Sequence, residues 1–483
     1  MRAVLPTVCV VVFLVSSVST VAAQVTTAPP PTAPRTTAPP GLVAPRSNNP
    51  FLGGVPTGEL TPDALSLSIT DAINRALAYN LGVLLAENGL GHAQGARKRA
   101  LAEMLPNITG RVSETRQVVN LAAFGFPLPA GIPPIVGPFN VFDARVYLSQ
   151  SVLDFKAMND AKAETHNIAA AQYDYKTARD LVVLVATVSY AQALTASARV
   201  DATQGQVDTS QALLNQASDL KANGLVAGID VLRAEVQLDT DRQRVTAARN
   251  EFEKSKLQLA RLIGLPIGQT FTLANQLTQV AIPEMTLEAA LDRAYKTRPD
   301  YLAALERVRA AEATRQAASG EMKPAIRVTA NFGDLGLSIM DSHSTYAVTG
   351  AVDVPIFQGG RSRGRLLEAD AEMRNRRADA DDLKAGIYYE VRTAMLDLDS
   401  GNEQLEVAGR ARELAAAQLT QARDRFVAGV AGNIEVIQAQ GAVTLANDQY
   451  ISALFTTSLA KGALVRAVGI AEEMARQLFG VSR

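Results

Sequence analysis

The chain has one cysteine, three histidines and no tryptophan in 483 residues. The lone cysteine, Cys9, excludes an internal disulfide and leaves no thiolate set for a metal. His92, His166 and His343 are far apart and none stands in an H-E-x-x-H spacing, which removes the common zinc arrangements. No G-x-S-x-G or Walker pattern is present, and "GGRSRG" at 359–364 lacks the Lys-Ser/Thr ending of a phosphate loop. Charge is balanced, with 47 basic and 48 acidic residues, so there is no basic surplus for nucleic acid. These absences leave no candidate for catalysis, for a cofactor or for a metal. Aromatics are only 5% of the chain, and the many alanines favour helices that approach closely.

What is present begins with an export signal. Arg2, an apolar run over 8–18 and Val21-Ala22-Ala23 predict a signal peptide over 1–23. Residues 24–59 are dense in Pro and Thr at their start and predict a disordered, extended tether. Beyond it no run of 18 uncharged apolar residues is expected, so a membrane-spanning helix is not predicted. An exported soluble protein or a β-barrel remains.

The rest of the chain repeats itself. "ANGLVAGIDVLRAEVQL" at 222–238 parallels "VAGVAGNIEVIQAQGAV" at 427–443, with Gly224 six residues before Asp230 and Gly429 six before Glu435. Upstream, Arg75-Ala76 parallels Arg293-Ala294, and Pro106 parallels Pro324. The offset is 218 upstream and 205 downstream, so the first copy carries an insert, the Pro/Gly-rich stretch 121–139, expected as a loop. The expected boundaries are 60–266 for the first repeat, 267–472 for the second and 473–483 for a tail. Each repeat reads helix, strand, strand, long helix, turn, helix.

Period-two alternation predicts four strands. Ile108, Gly110 and Val112 share one face; so do Phe142, Ala144, Val146 and Leu148; so do Ile326, Val328 and Phe332; and so do Tyr346, Val348, Val352 and Val354. Their length suits a tilted membrane strand, although an aromatic girdle is sparse. Four strands cannot close a barrel, whereas three chains supply twelve. Long helices are predicted over 157–221 and 361–428, with shorter ones over 68–104, 229–262, 286–322 and 433–467. A two-layered cylinder of helices fits these lengths; an exported coiled-coil scaffold without a pore is the alternative reading.

With "VPIFQGGR", the two tip turns and the "IGLP" and "VGIA" helix ends, the chain over about 60–472 resembles the TolC-like outer membrane efflux proteins. The resemblance implies an α+β membrane protein: a trimeric 12-stranded outer-membrane β-barrel continued by a long periplasmic α-helical barrel. It implies an exit duct of a tripartite efflux or type I secretion system rather than an enzyme. Its partners are then two further copies, outer-membrane lipid, a periplasmic membrane-fusion adaptor and an inner-membrane transporter. Residue by residue, Gly224, Leu225, Val226, Gly429 and Val430 match the adaptor-docking turns. Glu435 matches the acid that rings the periplasmic entrance, and Asp230 an acid of the latch that keeps it shut. Departures stand at Gln438, where the ring has a second acid, and at Phe426 and Ala431, where the latch has Tyr and Arg. Arg233 and Gln438 occupy corresponding places in the two copies and complete the expected gate.

Overall fold

A computed structural model describes residues 49–125, 133–275 and 285–474. The expected signal peptide, most of the tether and nearly all of the tail lie outside the described residues. Chain order is β1 (Leu65–Leu67), α1 (Ile69–Tyr79), α2 (Leu81–Ala102), β2 (Asn107–Asn120), β3 (Ile135–Leu153), α3 (Phe155–Ala222) and α4 (Gly228–Leu262). Then come β4 (Phe271–Leu273), α5 (Leu287–Thr297), α6 (Pro299–Gly320), β5 (Ala325–Gly336), β6 (Ser342–Asp353), α7 (Arg361–Val427) and α8 (Asn433–Ala467).

Two expected single helices are each broken once. Asn80 adopts an extended backbone, ends α1 and caps α2 by accepting from the Gly82 N–H at 2.9 Å. Pro299 opens α6, and its ring holds Arg298 extended at the end of α5. Both break residues are buried and both donate to the last turn of a later helix: Asn80 to the Leu262 carbonyl at 3.3 Å, Arg298 to that of Ala467 at 3.3 Å.

The two halves have matching cores. Ala72 and Ala76 of α1, Val182 and Ala186 of α3, and Leu259, Leu262 and Ile263 form one cluster. Ala290 and Ala294 of α5, Ile387 and Val391 of α7, and Leu464, Ala467 and Val468 form the other. The small parallel pair β1–β4, not foreseen, seals the first cluster through Leu67 and Phe271. Burying these side chains contributes roughly 1.5–3 kcal/mol for each large one, and this anchors helices too long to be held by their ends.

The strands form one antiparallel sheet of order β2-β3-β5-β6. They run 12 to 19 residues, longer than the roughly 9–11 that a tilted membrane strand needs, and residues 135–139 of the anticipated loop belong to β3. Pairing with β2, resumed after a register shift between Gln117 and Val119 and reaching Asn120↔Ile135, extends the strand past the alternating segment.

Two further expectations change. Residues 49–59 are not a free tether: Val55 N–H donates to the Tyr79 carbonyl at 2.8 Å and Thr57 N–H to that of Gly264 at 3.1 Å. A Cβ on Gly54 would meet the Leu262 carbonyl oxygen at 2.8 Å, so this segment lies directly on the α4 terminus. In α3, moreover, an 18-residue stretch is apolar enough to cross a bilayer by composition. Its Val182, Val183, Ala186, Tyr190 and Ala193 are the inner wall of the first core, which accounts for its character.

Candidate functional site

Each long helix ends in the same turn. At the α3–α4 junction Gly224 takes φ 75°, and its N–H donates to the Lys221 carbonyl while Leu225 N–H reaches back to Leu220 at 2.9 Å. At the α7–α8 junction Gly429 takes φ 71°, donates to Phe426, and Val430 N–H reaches Arg425 at 3.0 Å. This is the Schellman termination, which satisfies the last helical carbonyls and requires a left-handed residue best supplied by Gly. The residue after each glycine is thrown outward: Leu225 is 71% and Val430 68% exposed. With Ile229, Leu232, Val427 and Ile434 they form apolar knuckles at the hairpin ends.

The acids stand in the first turn of the returning helices. Neither α4 nor α8 has a side-chain N-cap, so Asp230 and Glu435 face a helix N-terminus whose amide dipoles favour negative charge. Each acid also has an arginine. Arg233 Nη1 lies 3.3 Å from Asp230 Oδ1, one turn on in the same helix. Arg425 Nε lies 3.4 Å from Glu435 Oε1, across the hairpin from α7. Gln438 is exposed.

The two hairpins meet at their tips through residues of both copies. Asn433 donates its Nδ2 to the Asp230 backbone carbonyl at 3.0 Å. Phe426, buried, packs in a cluster with Leu213, Leu419, Ala422, Val436 and Ala439, flanked by Val226. Where the resemblance implies a polar latch on Asp230, this chain has an apolar clasp on Phe426 and an amide on the backbone. Of the expected site residues, Asp230 and Val226 are joined to the second hairpin, while Gly224 and Leu225, and Gly429, Val430 and Glu435, stand at the tips of their own hairpins. Arg425 and Asn433 were missed by the sequence reading. The signal was there, since Arg425 and Glu435 both flank the second turn.

At the other end of the molecule the sheet register places the alternating residues. Val146 is opposite Gly110 and Phe332, and Phe332 is opposite Tyr346. Leu148 is opposite Ile108 and Ala330, and Ala330 is opposite Val348. One face is therefore apolar throughout its middle, and Ile108, Val112, Val146, Phe332, Tyr346, Val348 and Val352 are all exposed. The opposite face carries Arg111, Asp143, Arg145, Asn331 and Arg327. Arg145 chelates Asp143 through Nε at 2.6 Å and through Nη2. The edges β2 and β6 have no strand partner among the described residues.

An exposed apolar sheet face, a polar opposite face and helices of 67 and 68 residues ending in matched turns are the features to set against known proteins. Among known proteins the outer membrane efflux protein family matches residues 72–265 and 290–470. The pyoverdine export outer membrane protein OpmQ of Pseudomonas putida is 22% identical over 340 residues, 68% of this chain and 70% of that one. Outer membrane protein TolC of Escherichia coli is 22% identical over 351 residues, 69% of this chain and 70% of its own. Among solved structures, the CmeC outer membrane channel of Campylobacter jejuni superposes with a TM-score of 0.73 at 17% identity, covering 89% of this chain and 94% of that one. The fold is therefore the TolC-like one, a helical barrel part with a β domain, in a family of channels rather than enzymes. The chain belongs to the outer membrane efflux protein family, located in the outer membrane with its helical part in the periplasm.

Proposed function

We propose that three copies of this chain form a passive exit duct. Each supplies four strands to a 12-stranded barrel and four hairpin helices to a periplasmic tunnel. The two repeats, 60–266 and 267–472, give the tunnel its even spacing of hairpins. The observation that carries this reading is the open sheet: one face is apolar and exposed, and the edge strands β2 and β6 have no strand partner among the described residues. In a bilayer such edges are untenable, and closing the sheet on copies of itself removes them.

The tips then form the entrance. Leu225, Val226 and Val430, with the turns at Gly224 and Gly429, are the surface offered to a periplasmic adaptor, which connects the duct to an inner-membrane transporter that provides the energy. Asp230, Arg233, Glu435 and Gln438 line the gate. Because each acid has an arginine within 3.4 Å, the gate of this chain carries less net negative charge than bare acid rings. Opening parts the α7–α8 hairpin from the α3–α4 hairpin, a repacking of two stable arrangements.

The test is assembly and conductance. Purified chain should run as a trimer in detergent and give discrete pores in planar bilayers. Val146→Asp or Val348→Asp should abolish both, since a charge on the lipid face costs on the order of 1–3 kcal/mol in each of three chains. A monomer that makes no pores, or full tolerance of both aspartates, refutes the duct.

A further inference from the structure

Two amides on one side of α8 are buried against the α3–α4 hairpin. Asn433 and Gln440 are 2% and 0% exposed and stand seven residues apart, so they share one seam. Asn433 Nδ2 donates to the Asp230 carbonyl at 3.0 Å, and Gln440 Nε2 donates to Ser210 Oγ. Ser210 donates to Asp241 Oδ2 at 2.5 Å. Asp241 is buried, and also accepts from Gln237 at 3.1 Å and Arg244 at 3.0 Å. The seam is nevertheless incomplete. Asn433 Oδ1, Gln440 Oε1 and, one turn before Ser210, Gln206 Nε2 are buried with no hydrogen-bond partner among the described residues. Between the two amides, Val436 and Ala439 pack into the apolar clasp.

An amide satisfied at one atom and stranded at the other adds little net stability, because the stranded atom has lost its water. It still fixes register, since sliding the helix would strand both atoms. When the helices part, the stranded atoms regain water, so the closed packing is specific without being deep. We propose that Asn433 and Gln440 set the closed–open balance of the tips. They align α8 on the α3–α4 hairpin when the entrance is shut and keep that packing separable. This rests on the duct reading above and names the positioning residues of its gate.

The full chain, reconstituted in planar lipid bilayers, tests it with Gln440→Leu and Gln440→Glu beside the wild type. Gln440→Leu removes a stranded atom and adds apolar contact; open probability falls on the order of tenfold. Gln440→Glu places a carboxylate beside the Ser210–Asp241 pair, and open probability rises. Unchanged gating in Gln440→Leu overturns the proposal, whether or not the Glu variant assembles. A wild type that conducts nothing counts against the duct itself. The seam is then judged by hydrogen exchange over 436–443, expected slower in Gln440→Leu, with unchanged exchange overturning it.

Discussion

Replacing Phe426 by alanine removes the largest side chain of the clasp between the two hairpins. Phe426 is 4% exposed and touches a cluster drawn from α3, α7 and α8. A buried Phe→Ala change costs about 3–5 kcal/mol where the surroundings cannot relax. Here the clasp lies near free helix ends, with Val427 and Val430 exposed beside it, so partial collapse brings the cost to about 2–3 kcal/mol. The loss is local, because the other large cores lie at the far ends of α4 and α8. At about 1.4 kcal/mol per tenfold, amide exchange through local opening should accelerate roughly 30- to 150-fold. The segments affected are 213–226 and 419–443; the sheet should exchange as before. Phe426→Leu, which keeps most of the volume, should shift exchange by no more than about tenfold. If Phe426→Ala leaves both segments protected, or loosens the whole chain equally, the clasp does not hold the tips together.

Three further outcomes follow from other sites. Gly264→Ala and Gly469→Ala should each lower the melting temperature sharply: φ is positive at both, and a Cβ would meet the Val55 carbonyl oxygen at 2.5 Å or Arg298 Cγ at 2.9 Å. Gly224→Ala and Gly429→Ala, with equal φ strain but nothing within 4 Å, should cost only about 1 kcal/mol each; equal losses at all four would refute the crowding argument. Burial lifts the Asp180 carboxyl to about 6, above the ordinary carboxylate range, against the opposing bond from Glu472 N–H. A raised carboxylate pKa means stability is greatest with the group protonated and falls as pH rises from about 4 to about 6. Asp180→Asn should therefore gain on the order of 1–2 kcal/mol over wild type between pH 4 and pH 7 in thermal melts, and a pH-independent difference would show Asp180 to be charged throughout. Arg298→Met should destabilise by roughly 2–3 kcal/mol in denaturant titrations, because it leaves the partly exposed Asp300 and Glu390 without their buried partner; a neutral result would show that this cluster is dispensable.

How much of this was legible depended on the range of each signal. The tip turns were readable because a glycine and an acid at fixed spacing are local, and the same two offsets, 218 and 205, reappear in the paired cores as Ala72 and Ala290, and as Val182 and Ile387. The strand faces were readable because one alternation fixes a face whatever the partner. The helix breaks were readable in principle from "YNLG" and "TRPD", but the apolar stripe continues across Asn80 and Pro299 and masked them. The packing of 49–59 was not readable, since Gly54 fits the α4 terminus only once that terminus is built. Asn433 was missed for the same reason, its partner Asp230 lying on the other hairpin, whereas Arg425 was readable, since it and Glu435 flank one turn. The apolar run in α3 could be weighed only with its core around it.

The edges of β2 and β6, without a strand partner among the described residues, also bear on inheritance. If three copies complete the sheet, as proposed above, each shares its defects with the other two. If half the subunits in a cell carried a tip variant that still assembles, such as Gln440→Leu, random mixing into the proposed trimers would leave roughly one assembly in eight free of the variant. Such an allele would act over the normal copy, whereas a promoter defect in the same gene would be silent beside it.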